Sequence, residues 1–142
     1  MNNEEKIYVT VQSTVNAPID LVWKLWTSPE HITQWNFASE EWCSPKAEND
    51  LRNGGEFNFR MEAVDGSMGF DFTGIYDKVK EYEYIEYTLG DDRKVKIEFI
   101  TNKYKTEIKE TFEAENINSV EMQRAGWQAI LDNFKKYSES NN

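Results

Sequence analysis

One carboxylate in this sequence falls where a carboxylate is disfavoured. Residues alternate along Tyr104 to Glu113, and period-2 counting puts Glu110 on the apolar face with Thr106, Ile108 and Phe112. A carboxyl aimed into an apolar cavity keeps its proton to higher pH and is able to act as a general acid or base. Arg60 and Arg93 are its candidate ionic partners. The competing expectations are a structural ion pair, or a bulge that turns Glu110 outward. The other titratable groups offer less. His31, the only histidine, lies beside Glu30 and Thr33 and is expected as a solvated surface residue. Cys43, between Trp42 and Ser44, is expected as a buried, inert thiol, with no cationic side chain adjacent to lower its pKa. Glu81, Glu83, Glu86, Asp91 and Asp92 decorate exposed strand faces and turns. One His and one Cys leave little for a zinc or iron centre, so no metal is expected. Gly54-Gly55 is a turn rather than a phosphate loop. A hairpin, not a helix, follows Gly66, so no nucleotide cofactor is expected either.

The elements that must position these residues are legible in the pattern. Ile7 to Thr14 alternates as a strand rich in β-branched residues. Pro18 and Asp20 open a helix that carries Ile19, Val22, Trp23 and Trp26 on one face. Ser28 and Pro29 open a second short helix that ends near Trp35. Glu40 to Cys43 reads as a short strand, and Pro45 to Asn53 as an irregular loop. Strands follow at Glu56 to Ala63, Met68 to Tyr76, Tyr84 to Leu89, Arg93 to Thr101 and Tyr104 to Glu113, with Asp65-Gly66 turning the first hairpin. Asn118-Ser119-Val120-Glu121 resembles a capping box, with Asn118 as the cap. The helix it opens bears an apolar stripe of Val120, Trp127, Ile130, Leu131, Phe134 and Tyr137. Gly126 inside that helix costs about 1 kcal/mol against Ala, which suggests that a neighbour presses close to the backbone there.

The aromatic residues carry the functional signal. Phe57, Phe59, Met61, Phe70, Phe72, Tyr87 and Phe99 can share one side of a curved sheet, with Trp127 facing them from the last helix. Trp35, Phe37 and Trp42 gather near one end of the chain path. A curved sheet around one helix leaves a gap at the end the helix does not fill, and a gap lined this way suits a small hydrophobic ligand. The competing expectation is a solid aromatic core.

With 142 residues and no linker between 6 and 138, the chain reads as one domain, with tails at 1–5 and 139–142. Sixteen Lys and Arg stand against twenty-six Asp and Glu, a formal charge of −10 that repels a phosphate backbone and anionic membranes. No apolar run reaches membrane-spanning length. Met1 to Lys6 is polar and acidic, so no secretory or transit segment is expected. A lone cysteine fits a reducing cytoplasm.

Several stretches together resemble a known family: Thr14 to Trp23 with Asn16-Ala17-Pro18, Trp42-Cys43-Ser44-Pro45, Gly54-Gly55-Glu56-Phe57, Met61-Glu62-Ala63 with Asp65-Gly66-Ser67, Phe70 to Gly74, and Gln123-Arg124-Ala125-Gly126-Trp127 on to Leu131. They are similar to the activator of heat-shock-protein-90 ATPase homologues, within the START-like (SRPBCC) superfamily, over nearly the whole chain from Ile7 to Tyr137. The resemblance implies an α+β helix-grip fold, with a curved seven-stranded antiparallel sheet wrapped around a long C-terminal helix and two short helices after the first strand. It implies a deep cavity between sheet and helix, used across the superfamily for lipids, polyketides and other apolar molecules. It supplies no shared catalytic motif. Chaperone activation is not carried over, because that role involves a separate N-terminal domain.

The expected function is therefore binding of a small hydrophobic guest, aromatic or lipid-like, in a cavity lined by Trp35, Phe37, Trp42, Phe57, Phe59, Met61, Phe70, Phe72, Tyr87, Phe99 and Trp127. Two alternatives stand beside it. One is a cavity enzyme of the aromatase/cyclase or lyase type using Glu110. The other is a chaperone- or stress-linked module with an unidentified protein partner, which an exposed aromatic patch near Trp35 and Phe37 would favour.

Overall fold

The first strand, β1 (Tyr8–Val15), sends Val9, Val11 and Val15 inward and leaves Tyr8, Thr10, Gln12 and the other alternate positions exposed, as its β-branched run predicts. Two helices follow, α1 (Ile19–Thr27) after Pro18 and α2 (Pro29–Trp35) after Ser28. Six more strands come next: β2 (Trp42–Asn49), β3 (Glu56–Ala63), β4 (Gly69–Lys80), β5 (Tyr84–Leu89), β6 (Lys94–Asn102) and β7 (Lys105–Glu113). The long helix α3 (Val120–Ser140) closes the chain. This computed structural model describes residues 6–142, so the tail expected over 1–5 lies outside the described residues.

All seven strands form one antiparallel sheet in the order β1-β7-β6-β5-β4-β3-β2. The sheet curls around α3, which is the helix-grip arrangement. Part of the curl has local causes. The pairing of β2 with β3 shifts register between Cys43 and Lys46, and that of β4 with β5 shifts between Tyr76 and Lys78. Such bulges bend a strand and raise its twist. Ile108, Phe112, Leu131 and Phe134 are fully buried where sheet and helix meet.

Four local expectations are corrected. Pro45 to Asn53 is not an irregular loop throughout, because β2 runs to Asn49. Proline argues against a central strand, but β2 is an edge strand and Pro45 falls within its bulge, where no ladder donor is needed. The cap of α3 is Ser119 rather than Asn118, its Oγ accepting the Met122 N–H at 3.1 Å, which leaves Glu121 one position short of a capping box. The same helix continues past the expected boundary to Ser140, and Glu139 accepts the Asn16 N–H at 2.8 Å. Among the described residues nothing presses on Gly126: beyond its own helix backbone and chain neighbours, a Cβ placed there meets no atom within 4 Å.

Candidate functional site

Between the concave sheet and α3 lies a cavity of about 330 Å³. Each wall follows from an element already described. The period-2 face of the sheet supplies Phe59 and Met61 from β3, Phe70, Phe72 and Tyr76 from β4, and Ile85 and Tyr87 from β5. Ile97 and Glu110 continue that face across β6 and β7. From α3, Gln123, Trp127 and Ile130 face inward at helical spacing. Trp26, Trp35 and Asn36 close one end. There Trp26 and Trp35 lie 4.9 Å apart and each meets the edge of Phe134 at 4.8 Å. The Trp35 indole N–H donates to the Leu25 carbonyl at 2.9 Å, which fixes the ring. Arg93, Glu115 and Asn118 also border the cavity.

Trp127 ties the two halves together. Its ring stacks on Phe112, with centroids 4.2 Å apart and planes 10° from parallel, and it meets Phe72 edge-on at 6.1 Å. Gln123 holds the loop before α3. Its Oε1 accepts the Glu115 N–H at 2.9 Å, and its Nε2 donates to the Glu115 and Asn118 carbonyls at 3.0 and 2.9 Å.

Glu110 faces this cavity. The pairing of β7 with β1 and β6 is unbroken, Val11 and Ile97 sit directly beside Glu110, and no bulge turns it outward. It is 6 % exposed. Both candidate cations are engaged elsewhere. Arg60 pairs with Glu62 at 2.9 Å and Asp71 at 3.6 Å, and Arg93 Nε donates to Asp91 at 2.7 Å. Among the described residues no ion-pair or hydrogen-bond partner meets the Glu110 carboxyl. Burial alone pushes its pKa from 4.5 up to about 8, so at neutral pH the group is mostly a neutral acid. The Tyr87 hydroxyl, buried on the neighbouring wall, is held well above the usual phenol range by burial first and by the Glu110 charge second. Asn36 is buried as well, and its side-chain N–H reaches only the Met61 sulfur at 3.8 Å. The cavity is therefore an aromatic and aliphatic space with polar groups that the protein itself leaves unpaired.

Of the expected lining residues, Trp35, Phe59, Met61, Phe70, Phe72, Tyr87 and Trp127 come together here. Four others do not. Phe57 stacks on Phe59 at 4.9 Å and meets the edge of Tyr87 at 4.8 Å, filling the core across Gly74. Phe99 is wedged against Trp23 at 5.3 Å and Trp26 at 5.7 Å, beneath α1. Trp42 meets the edge of Phe70 at 6.1 Å outside the cavity. Phe37 is half-buried past the end of α2. The lining residues Ile85 and Ile97 were reachable by the alternation that found Tyr87. Asn36, in an aperiodic turn, carried no such signal. Trp35 is 4 % exposed, and Phe37 beside it is half-buried.

The remaining candidates take structural places. His31 is half-buried rather than fully solvated, its Nδ1 sharing a 2.7 Å hydrogen bond with the Tyr137 hydroxyl. Cys43 is half-buried on β2 rather than enclosed. Among the described residues no group of three or more His, Cys, Asp or Glu is placed to hold a metal ion, and no helix is long and apolar enough to cross a membrane.

Residues 16–139 match the family described as Activator of Hsp90 ATPase homolog 1-like protein. The fold matches the solution structure of an AHSA1-like protein from Aeromonas hydrophila, with a TM-score of 0.89 and 38 % identity over 95 % of this chain and 94 % of that one. A solution structure of Chr148 from Cytophaga hutchinsonii is 53 % identical over 94 % and 92 % of the two chains, with a TM-score of 0.81. The crystal structure of NE0264 from Nitrosomonas europaea shares the fold at 17 % identity, with a TM-score of 0.80 over 95 % and 96 %. No match is found among the curated proteins.

Proposed function

We propose, from the premise that this chain belongs to the Activator of Hsp90 ATPase homolog 1-like family, that it is a START-like binding module for one small, largely apolar guest. The observation that carries this reading is the 330 Å³ cavity itself, within the size range of small-molecule sites and lined mainly by aromatic and aliphatic side chains. A guest that loses about 200 Å² of apolar surface gains roughly 5 kcal/mol before the costs of immobilisation. The unpaired Glu110 and Tyr87 groups orient its polar end. Cys43, the one cysteine, supports a reducing compartment, and the reading places the protein in the cytoplasm.

The test is occupancy. Native mass spectrometry of the protein taken from its own cells should show a bound small molecule. Ile130→Phe, which adds a ring to the helix wall of the cavity, should lose it while the far-UV circular dichroism stays unchanged. A guest retained by the variant would place the binding elsewhere.

A cavity enzyme is the second reading, and one observation favours it: Glu110 is a buried, mostly protonated acid facing open space, which is what a proton donor requires. Turnover of the identified guest, lost in Glu110→Gln with binding retained, would establish it.

A further inference from the structure

Among the described residues, Glu110 differs from every other charged side chain along the cavity in having nothing to pair with. Arg93 is committed to Asp91, and the Glu115 Oε1 accepts the Asn118 N–H at 2.8 Å. An anionic guest would find no free cation there. It would also approach a chain carrying ten more acidic than basic residues, a field that concentrates cations and repels anions. The walls around Glu110 add a second preference. Trp127, Phe72, Tyr87 and Trp26 expose ring surface to the same space, and the negative faces of such rings attract an ammonium group, most of all in a site shielded from water.

We propose that the guest of this cavity is a small apolar amine, bound as its ammonium ion against the carboxylate of Glu110. The proposal rests on the binding-module reading above and narrows it to a charge class. An amine binding as a cation keeps the proton it carries in water, and Glu110 releases its own proton to solvent, so one proton leaves per amine bound. The other titratable groups facing the cavity are Tyr76 and Tyr87, both held neutral by burial, together with Arg93, paired with Asp91, and Glu115, which accepts the Asn118 N–H. The ion pair must offset the desolvation of both partners. It does so with a charge-assisted hydrogen bond and ring contacts that a neutral guest does not make.

Three probes of matched shape separate the possibilities: 1-naphthylmethylamine, 1-naphthalenemethanol and 1-naphthoate, each titrated into the full-length protein at pH 7 and followed by amide chemical shifts. The amine is expected to bind at least about tenfold more tightly than the alcohol, and the carboxylate more weakly than both. In Glu110→Gln the amine's advantage over the alcohol should shrink to about twofold or less, and unchanged amide chemical shifts outside the cavity report that the variant is folded. Calorimetry of the unmutated protein in two buffers of different ionisation enthalpy should show proton release with the amine and none with the alcohol. Alcohol binding as tight as amine binding, or amine binding without proton release, overturns the charge assignment and leaves the cavity reading intact. Failure of all three probes to shift the cavity residues overturns both.

Discussion

Phe112 and Trp127 lie face to face, ring centroids 4.2 Å apart and planes within 10° of parallel, and this stack is the seam by which the last helix grips the sheet. Phe112 is fully buried, whereas Trp127 also borders the cavity, so one indole both packs on the sheet and lines the open space. Trp127 is only partly buried, so Trp127→Ala should cost about 2–4 kcal/mol, somewhat below the range of about 3–5 kcal/mol for a fully buried large aromatic. Trp127→Phe keeps a ring on Phe112 and should cost less than half as much. Urea unfolding of both variants measures the difference.

The Glu110 carboxyl makes stability depend on pH in an uncommon direction. Its folded pKa of about 8 lies above the unfolded value of 4.5, so the folded chain binds this proton more tightly than the unfolded chain does. Below 4.5 both states are protonated and there is no penalty. Stability falls as pH rises through this window and levels off above 8, a loss on the order of a few kcal/mol. Glu110→Gln should flatten that part of the profile and be the more stable protein at pH 9. Denaturant midpoints across the pH range decide it, and an unchanged profile in the variant would assign the dependence to other groups.

Two glycines should respond oppositely to alanine. At Gly126 a Cβ meets nothing within 4 Å, so Gly126→Ala should gain roughly 0.5–1 kcal/mol from helix propensity alone. At Gly74 a Cβ would lie 2.6 Å from the Phe57 ring and 2.9 Å from the Thr88 carbonyl. Gly74→Ala should destabilise by about 1–3 kcal/mol, as overpacking does. Thermal melts of the two variants should move in opposite directions.

Gln123 satisfies three backbone groups of the loop that leads from β7 into α3. Gln123→Ala should cost roughly 1–2 kcal/mol, because three part-buried backbone groups lose their partner. The Glu115 amide, which donates to the Gln123 side chain, should exchange with deuterium much faster while amides in the centre of β7 stay protected. Uniform loss of protection would instead mean global unfolding.

Local chemistry in the chain determined the elements. Alternation at Val9 and Val11, Pro29 at a helix start, the Asp65-Gly66 turn and the apolar stripe of the last helix each act within a few residues of themselves, so they can be read without knowing the fold. The same periodicity put Glu110 on the inward face. It could not say whether Arg60 or Arg93 would reach it, because their partners Glu62 and Asp91 are a matter of side-chain placement on the assembled sheet. Nor could it separate lining residues from filling ones. Phe57 and Phe59 share one face of one strand, yet Phe57 drops onto Gly74 while Phe59 borders the open space. Tertiary structure decided such matters, since a void is the volume left once every side chain has found its neighbours, and those neighbours come from strands and helices far apart in the sequence.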